Sequence, residues 1–464
     1  MTGTSDIERE VKLQATRRVD LDQLGGTPLE RRTFTSTYHD TSDRLLARAG
    51  ITLRRRLEHG RNDWQLKLPT DGARREIGAP GGPAGPPAAI ADLLPAFLRG
   101  RKLVQLATLR TARDGVLVRS DTGITEVVLD EVAVMEGQRV TQTFDELEIE
   151  LVAGDQRALL AIERTLKRLG ARRTDGRTKI ARALGVDEGK LPKPRTDDER
   201  LRLFLAQRYV DLLAADPGVR LGADVEPVHD LRVAVRRLRA VLRAARPFVA
   251  VEWANRMREE LDWLGRSLGP LRDLDVLTER LRQETNAFDD EDRAAFANAF
   301  VALSAGHDAA RANAMAALDS ERYLALLDAL AGAPPLLEAE KTLAQVAARE
   351  FRRLRKTMRD IGPHSPDELV HKARIRAKRL RYVAEVLGKK RVVRRAKQFQ
   401  DVVGEHQDAV VAEQRLRELA SRVPDAAVPL GRLIEREQTR RLRTRGDLAN
   451  AWKRLSRAGS SAWV

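Results

Sequence analysis

The spacing of apolar residues changes once along the 464-residue chain, and this change constrains the fold more than any other feature. Up to about Val186, short segments alternate apolar and polar residues, which is typical of strands with one buried face. From Glu199 to the end, apolar residues recur at helical spacing. The sequence therefore predicts a multidomain α+β protein with a β-rich domain at 1–186, a linker at 187–197 and a helical domain at 198–464.

Five segments carry the strand pattern, and two helices are expected beside them. The helices span 88–99 and 155–169, while the Gly- and Pro-rich run at 78–87 favours a loop. A closed barrel of about eight such strands would direct alternate side chains into one lumen. The predicted strands are Ile7–Leu13, Gly50–Leu57, Trp64–Leu68, Ile124–Val134 and Phe144–Leu151.

Charged residues recur at every second position on several of the predicted strands. Glu8 and Glu10 alternate on the first strand, and Glu146, Glu148 and Glu150 alternate on the last. Glutamates on one face repel one another unless a cation compensates them. Carboxylate oxygens suit Mg²⁺ or Mn²⁺, and strand cations suit phosphate, so the pattern favours a metal-assisted phosphate site over the wet faces of a half-exposed sheet. The cations at such positions are Lys12, Arg54, Arg56 and Lys67.

The helical part contains a duplicated segment that begins with histidine. HDLRVAVRRLR starts at His229 and HKARIRAKRLR starts at His371, with cations at matching spacings. The segments SLGPLRDLDV and VVGEHQDAVV follow in the same order and align Asp273 with Asp408. Two matches in one order predict a helical bundle that occurs twice. We expect the two aspartates to tie helices together through arginine, because a carboxylate repels phosphate.

Composition limits the partners and the compartment. The formal net charge of +16 indicates a polyanionic partner, and an aromatic content of only 4% disfavours a nucleic-acid binder that stacks bases. The absence of cysteine excludes disulfides, thiolate zinc sites and cysteine nucleophiles. No apolar run could span a membrane, and the polar N-terminus leaves no room for a secretory signal. We expect a cytoplasmic protein with no specific nucleic-acid or membrane partner.

Residues 6–186 resemble the CYTH family, the triphosphate tunnel metalloenzymes. The motifs that carry the resemblance are, in chain order, the Glu8-x-Glu10-x-Lys12 opening, YHDT from Tyr38, LARAGITLRRR from Leu46, WQLK from Trp64, Asp130 in VVLDEV, the ELEIE strand from Glu146 and Lys179 in TKIARAL.

This resemblance implies an eight-stranded antiparallel β tunnel with flanking helices that hydrolyses tripolyphosphate or a related chain with Mg²⁺ or Mn²⁺. Where many members have two cations two residues apart, this chain has Arg110 and Ala112, so either alanine takes the second inward position or Arg113 replaces it through a bulge. The implied catalytic residues are Glu8, Glu10, Lys12 and Glu148. The implied metal ligands are Glu8, Glu10, Glu146, Glu148 and Glu150. The implied substrate-binding residues are Lys12, Arg54, Arg56, Lys67, Arg110 and Lys179.

The duplicated helical part, roughly residues 197–460, resembles the CHAD domain. The resemblance implies two pseudo-symmetric helical bundles whose basic face binds inorganic polyphosphate. The residues implied to line this face are His229, Arg232, Arg236, Arg239, His371, Arg374, Lys378 and Arg381.

Three functions stay open on the sequence. The leading hypothesis is a hydrolase whose substrate is concentrated by the attached polyphosphate-binding domain. The second is a polyphosphate-binding or targeting protein without efficient turnover, for which Ala112 is the argument, and association with polyphosphate granules stays open with it. The third is nucleic-acid binding, for which the charge is suitable but no motif is present. Among CYTH enzymes, ATP cyclisation and hydrolysis of thiamine or nucleoside triphosphates are further alternatives.

Overall fold

A computed structural model describes residues 4–15, 19–70, 73–174, 177–185, 193–286, 288–362 and 365–463. The chain divides into two compact units, Met1–Pro192 and Lys193–Val464. Residues 187–192 of the predicted linker lie outside the described residues, and its last residue, Asp197, begins a helix. None of the helices in the described ranges is long and apolar enough to cross a membrane.

The first unit is built on one antiparallel sheet. Its strands are β1 (Thr4–Glu8), β2 (Glu10–Gln14), β3 (Thr27–Pro28), β4 (Arg32–Asp40), β5 (Thr52–Glu58), β6 (Arg61–Thr70), β7 (Ala73–Pro80), β8 (Val104–Ser120), β9 (Gly123–Glu136), β10 (Arg139–Gly154) and β11 (Arg172–Arg173). The strand order is β1-β7-β6-β5-β4-β8-β9-β10-β2-β11, and β3 pairs with β8.

The amino-terminal strand closes this sheet. β1 and β2 are two halves of one strand, separated by Arg9, and they join different ends of the strand order. β1 pairs with β7, whereas β2 pairs with β10, so the sheet returns on itself. Within the described residues, eight strands remain when β1 and β2 count as one and the two-residue strands β3 and β11 are set aside. The predicted eight-stranded antiparallel barrel is confirmed.

Alternation along β10 separates the outer core of the barrel from its lumen. Leu147 and Ile149 are fully buried in the outer apolar cluster, while the glutamates between them take the opposite face. Leu159 and Leu166 of the following helix pack into the same cluster. That helix begins where the Asp155 side chain accepts a hydrogen bond from a first-turn N–H.

The helices of the first unit are short apart from α4. The predicted helix at 88–99 is two short helices, because Pro95 begins a new one. The predicted loop at 78–87 begins inside β7, which continues to Pro80. The helices are α1 (Leu45–Arg48), α2 (Ala88–Ala91), α3 (Pro95–Leu98), α4 (Gln156–Arg168) and α5 (Lys179–Ala183), with a 3-10 turn at Leu21–Leu24.

The regular secondary structure in the described residues of the second unit is helical, apart from one isolated β-bridge between Val249 and Leu336. Its α-helices are α6 (Asp197–Leu221), α7 (Glu226–Ala244), α8 (Val251–Ser267), α9 (Gly269–Thr285), α10 (Asp290–Leu318), α11 (Glu321–Ala331), α12 (Leu343–Arg359), α13 (Asp367–Val386), α14 (Lys390–Arg422) and α15 (Ala427–Trp463), with a 3-10 turn at Pro424–Ala426. The duplicated histidine-led segments lie on α7 and α13, and these two helices contact each other. The predicted all-helical second domain is confirmed.

The two copies differ at one helix break. In the first copy the chain breaks between α8 and α9 at Leu268, because Pro270 has no N–H to continue the hydrogen-bond ladder. The aligned residues of the second copy, around Gly404, lie inside the continuous helix α14. At this break the Arg232 side chain donates hydrogen bonds to the carbonyls of Leu268 and Gly269.

Candidate active site and anion groove

The closed sheet of the first unit surrounds a charged cavity of about 260 Å³. Among the described residues, eight cationic and six acidic side chains line it, so cations are in excess. Strand alternation produces this lining, because the even-numbered residues of the paired strands β2 and β10 point inward. The predicted residues that line it are Glu8, Glu10, Lys12, Arg54, Arg56, Lys67, Glu148, Glu150 and Lys179.

Glu148 lies at the centre of an ion-pair network in this cavity. Its carboxylate accepts hydrogen bonds from Lys12 at 2.6 Å, Arg113 at 2.8 Å and Lys179 at 2.9 Å. Burial opposes ionisation, but the three cations hold the pKa of Glu148 well below its ordinary value. Burial likewise opposes the charge on Lys12, but the neighbouring carboxylates raise the pKa of Lys12 above its ordinary value. Both partners therefore stay charged.

Lys67 joins two further carboxylates. Its ammonium nitrogen lies 2.5 Å from Glu8 and 2.8 Å from Glu76. Burial, with a hydrogen bond to Glu76, raises the pKa of Glu8 to about 7. Despite its own burial, Glu76 has a pKa lowered to about 2 by Lys67 and Arg54. Near neutral pH Glu8 is therefore partly protonated, beside an ionised Glu76.

The carboxylates of the cavity fit a hard divalent cation by their donor chemistry. Mg²⁺ and Mn²⁺ prefer oxygen ligands. Burial, together with the neighbouring carboxylates Glu126 and Glu10, raises the pKa of Glu150. Within the described ranges, no group of three or more acidic or histidine side chains is already arranged to hold an ion. Lysine ammonium groups pair with these carboxylate oxygens instead.

Glu146, predicted as a metal ligand, does not line the cavity. Its side chain is fully buried, with Oε2 3.4 Å from Lys12 and 3.5 Å from Lys179. Asp130 is buried beside it, pairs with Lys179 and accepts hydrogen bonds from Arg113 at 2.6 and 2.7 Å. The predicted metal set is corrected accordingly: Glu146 lies on the inward face of β10 but is buried behind the lining, where it contacts Lys12 and Lys179, which line the cavity.

β8 presents Arg113 to the cavity and not Arg110. Arg110 is exposed and is not among the residues that line the cavity. Ala112 pairs with the exposed Glu131 on the outer face of the barrel. The prediction that Arg110 faces inward, with alanine at the second inward position, is therefore wrong. The inward row of β8 consists of odd-numbered residues, so Ala112 leaves no gap in the lumen.

Four charged residues of the lining were not singled out from the sequence. Arg74 and Glu76 alternate with Arg75 and Ile77, a period-two signal that stops at a Gly- and Pro-rich run. Such a short alternation is hard to distinguish from a loop. The four residues are Arg32, Arg74, Glu76 and Glu126.

The side of the cavity around Arg56 has an excess of positive charge. Burial and the neighbouring guanidinium groups of Arg54, Arg113 and Arg32 lower the pKa of Arg56 to about 10. Arg54 donates a hydrogen bond from Nε to the neutral Gln65 at 2.7 Å. An anion with several oxygens would satisfy these guanidinium groups, because each can donate two parallel hydrogen bonds.

The second unit contains a groove of about 750 Å³, lined by residues of α7, α9, α13, α14 and α15. Its lining mixes cations with carboxylates, including Glu226, Asp401 and Glu405. Arg237, Arg280 and Arg440 also line it, although the sequence did not single them out. The predicted residues that it brings together are His229, Arg236, Arg374, Lys378 and Arg381.

Three of the predicted groove residues lie elsewhere. Arg232 donates to the carbonyl of Gly269 at 2.6 Å, at the helix break. Arg239 pairs with Asp262 at 2.5 Å, and His371 is exposed and forms a hydrogen bond with Gln407 at 2.8 Å. The prediction that Arg232, Arg239 and His371 line the groove is corrected, because a helical stripe this broad also covers positions that face neighbouring helices.

Both copies of the duplicated segment contain a contact between an arginine and a Gly-x₃-Asp segment. Arg232 lies 3.4 Å from Asp273, and Arg374 lies 3.7 Å from Asp408. A Cβ atom added at Gly269 would lie 3.5 Å from Arg232, and one added at Gly404 would lie 3.9 Å from Arg374. The expected pairing of both aspartates with arginine is confirmed.

Comparisons with known proteins agree with this architecture. A CYTH domain matches residues 6–184, and a CHAD domain matches residues 204–417. The uncharacterized proteins MT2285 and Rv2226, from two strains of Mycobacterium tuberculosis, are each 30% identical to this chain over 91% of its length and 90% of theirs.

Two solved structures are similar to parts of this chain. PptA from Streptomyces chartreusis is 23% identical, covers 56% of this chain and 100% of its own, and has a TM-score of 0.47. The CHAD domain from the plant Ricinus communis is 25% identical, covers 60% of this chain and 95% of its own, and has a TM-score of 0.42. The order of domains expected from the sequence is confirmed by the matched ranges. The chain belongs to the family of proteins in which a CYTH domain, the domain of the triphosphate tunnel metalloenzymes, precedes a CHAD domain.

Proposed function

We propose that the CYTH unit hydrolyses tripolyphosphate or a related phosphate chain and that the CHAD unit binds polyphosphate. The observation that carries the first part is the composition of the cavity. Cations exceed carboxylates there, yet two of the carboxylates, Glu8 and Glu150, have raised pKa values, so the site is suited to an anion and to a metal cation together. A phosphate chain with a divalent ion supplies both charges.

The arginines and the lysines of the cavity would have different roles. Arg54, Arg56 and Arg113 would bind the phosphoryl oxygens through guanidinium forks. Lys12 and Lys179 would neutralise charge that develops during cleavage, and Glu148 keeps both at fixed positions. Phosphoryl transfer depends mainly on such positioning and charge stabilisation, and an attacking water must lie in line with the leaving oxygen.

Glu8, Glu10 and Glu150 are the residues that would hold Mg²⁺ or Mn²⁺. Each lines the cavity, and Glu8 and Glu10 are paired with Lys67 and Lys12, respectively. Such an ion, when bound, neutralises negative charge on the phosphoryl oxygens.

Phosphate release from tripolyphosphate tests the hydrolase. Glu148→Gln removes the charge that fixes Lys12, Arg113 and Lys179, so we expect turnover to fall by at least about 100-fold. Glu131→Gln is the matched control, because Glu131 is 57% exposed on the outer face of β9. The proposal fails if wild type releases no phosphate from any triphosphate, or if the two variants behave alike.

The polyphosphate-binding proposal rests on the groove cations. Arg236, Arg374, Lys378 and Arg381 converge there from two helices. We expect the full chain to bind long polyphosphate in a salt-sensitive way, by analogy with counterion release from other polyanions. The double variant Arg236→Ala/Arg374→Ala should weaken this binding. Arg239→Ala, which removes a cation outside the groove, should not, and equal losses would contradict the assignment.

The alternative of a binding protein without turnover is distinguished by the same pair of assays. Its sequence argument is Ala112, and this residue pairs with Glu131 and does not line the cavity. Retained polyphosphate binding without phosphate release would establish the alternative.

A further inference from the structure

Lys378 occupies an unusual position among the groove cations. It lies on α13 one turn after Arg374, which contacts Asp408 at 3.7 Å. Arg381 is likewise paired, with Glu385 at 3.1 Å. In the part of the chain that the structure describes, Lys378 has neither an ion-pair partner nor a hydrogen bond. Its ammonium group is thus free to meet whatever enters the groove.

The surroundings of Lys378 favour the neutral amine. Burial has the largest effect, and Arg374 and Arg381 on its own helix add to it together with Arg236 from α7. Asp408 from α14 opposes them, and the pKa of Lys378 falls to about 7. Near neutral pH about half of such a lysine carries a nucleophilic lone pair, whereas a lysine with an ordinary pKa of about 10.4 is almost fully protonated.

We propose that Lys378 is a site of acylation by acyl phosphates, whose phosphate group is recognised by the groove arginines. An acyl phosphate has both features that suit this site. Its phosphate group can bind to Arg236 and Arg374, and its acyl carbon is an electrophile that can react with an amine. The inference rests on the anion-binding groove of the proposed function. It adds a covalent reaction at the Nζ atom of Lys378.

The reaction balances without a further reagent. The lone pair on the neutral Nζ of Lys378 forms a bond to the acyl carbon, and the bond from that carbon to the phosphate oxygen breaks. Phosphate leaves with the electron pair, next to Arg236 and Arg374. Nζ then loses one proton, which the departing phosphate accepts, and becomes a neutral amide nitrogen. The groove loses one cation, so acylated protein binds polyphosphate more weakly.

Peptide mass spectrometry of the full chain tests the proposal. The protein is incubated at pH 7 with acetyl phosphate, or with the N-hydroxysuccinimide ester of acetic acid, which has no phosphate. Exposed Lys389 and Lys390, at the start of α14, are internal references. We expect acetyl phosphate to modify Lys378 at least about tenfold faster than either reference, because more of it is neutral.

The ratio of the two reagents separates phosphate recognition from general reactivity. The acetylation rate with acetyl phosphate is divided by the rate with the ester for each lysine. We expect this ratio to be higher at Lys378 than at Lys389. The double variant Arg236→Ala/Arg374→Ala should remove the difference. Long polyphosphate should protect Lys378 and leave Lys389 unaffected. Equal ratios at the two lysines, or an unmodified Lys378, would overturn the proposal. Direct binding of polyphosphate is measured separately, so failure of the groove as a polyphosphate site is recognised independently.

Discussion

The guanidinium carbon of Arg56 lies 3.5 Å from the centre of the Phe34 ring. Nε and Nη2 of Arg56 are buried and have no hydrogen-bond partner, although Glu58 lies 3.2 Å from Nε. The guanidinium carbon of Arg113 lies 5.5 Å from the same ring. The negative face of an aromatic ring attracts a desolvated cation, so Phe34 compensates Arg56 where hydrogen bonds do not.

Replacing Phe34 by leucine should therefore weaken substrate binding more than turnover. The lost cation–π attraction predicts a rise in KM for tripolyphosphate of about 5- to 30-fold. Phe34→Tyr retains the ring face and should restore most of the affinity. Steady-state kinetics of the two variants make the comparison, and an unchanged KM in Phe34→Leu would show that the ring does not position Arg56.

Arg110 and Arg113 form a matched pair on one strand. Arg113→Ala removes a cation held by Asp130 and Glu148 inside the cavity, so kcat/KM for tripolyphosphate should fall by about 100-fold. Arg110→Ala changes an exposed position and should alter it by no more than about twofold. The opposite order of effects would mean that β8 presents the other row of residues to the substrate.

This pair shows where sequence reasoning succeeded and where it could not. The inward glutamates of β10 were identified because Leu147 and Ile149 alternate with them and fix the buried face. β8 is 17 residues long and has charged residues at both Arg110 and Arg113. A one-residue change of register exchanges the two faces of a strand, and the local pattern does not select between them.

In the helical unit, too, the sequence pattern does not show which side chains face a neighbouring element. Spacing placed Arg232 and Arg236 on one broad stripe, yet Arg232 caps a helix break and Arg236 lines the groove. Which part of a stripe faces a neighbouring helix depends on tertiary packing. The duplication itself was visible, because it needs only the order of residue types.

Polyphosphate binding should depend on pH through Lys378. Bound polyphosphate stabilises the ammonium form, so the pKa of Lys378 in the complex lies above its value of about 7 in the free protein. Affinity is therefore fully enhanced below pH 7 and falls as the pH rises from 7 through the pKa of the complex. We expect a loss of about fivefold, measured by titration calorimetry.

Lys378→Arg is the control for this pH dependence. Arginine stays charged throughout the range, so the variant should show no such loss between pH 7 and 9. His229, also in the groove, has a pKa lowered by burial and titrates below this window. A wild-type affinity that is constant over the same range would contradict the role of Lys378.

The fold of the second unit depends on a buried ion pair. Asp216 accepts a hydrogen bond from Arg220 at 2.6 Å and another from the hydroxyl of Tyr323 at 3.0 Å. Asp216→Ala removes one of three partners of Arg220, which also bonds to Asp319 and the carbonyl of Leu318, so the free energy of unfolding should fall by about 2–3 kcal/mol. Tyr323→Phe removes one hydrogen bond and should lower it by about 1 kcal/mol. Denaturant titrations followed by circular dichroism compare the two, and equal losses would argue against a charge effect.

Hydrolysis of tripolyphosphate by the wild-type chain tests the central claim most directly. With Mg²⁺ or Mn²⁺ present, we expect equal amounts of phosphate and pyrophosphate to accumulate, and a chelator should stop the reaction because the cavity carboxylates then lack their cation. Phosphate and pyrophosphate are quantified together over time. If neither product forms with any divalent ion, the cavity of the CYTH unit does not cleave phosphate chains.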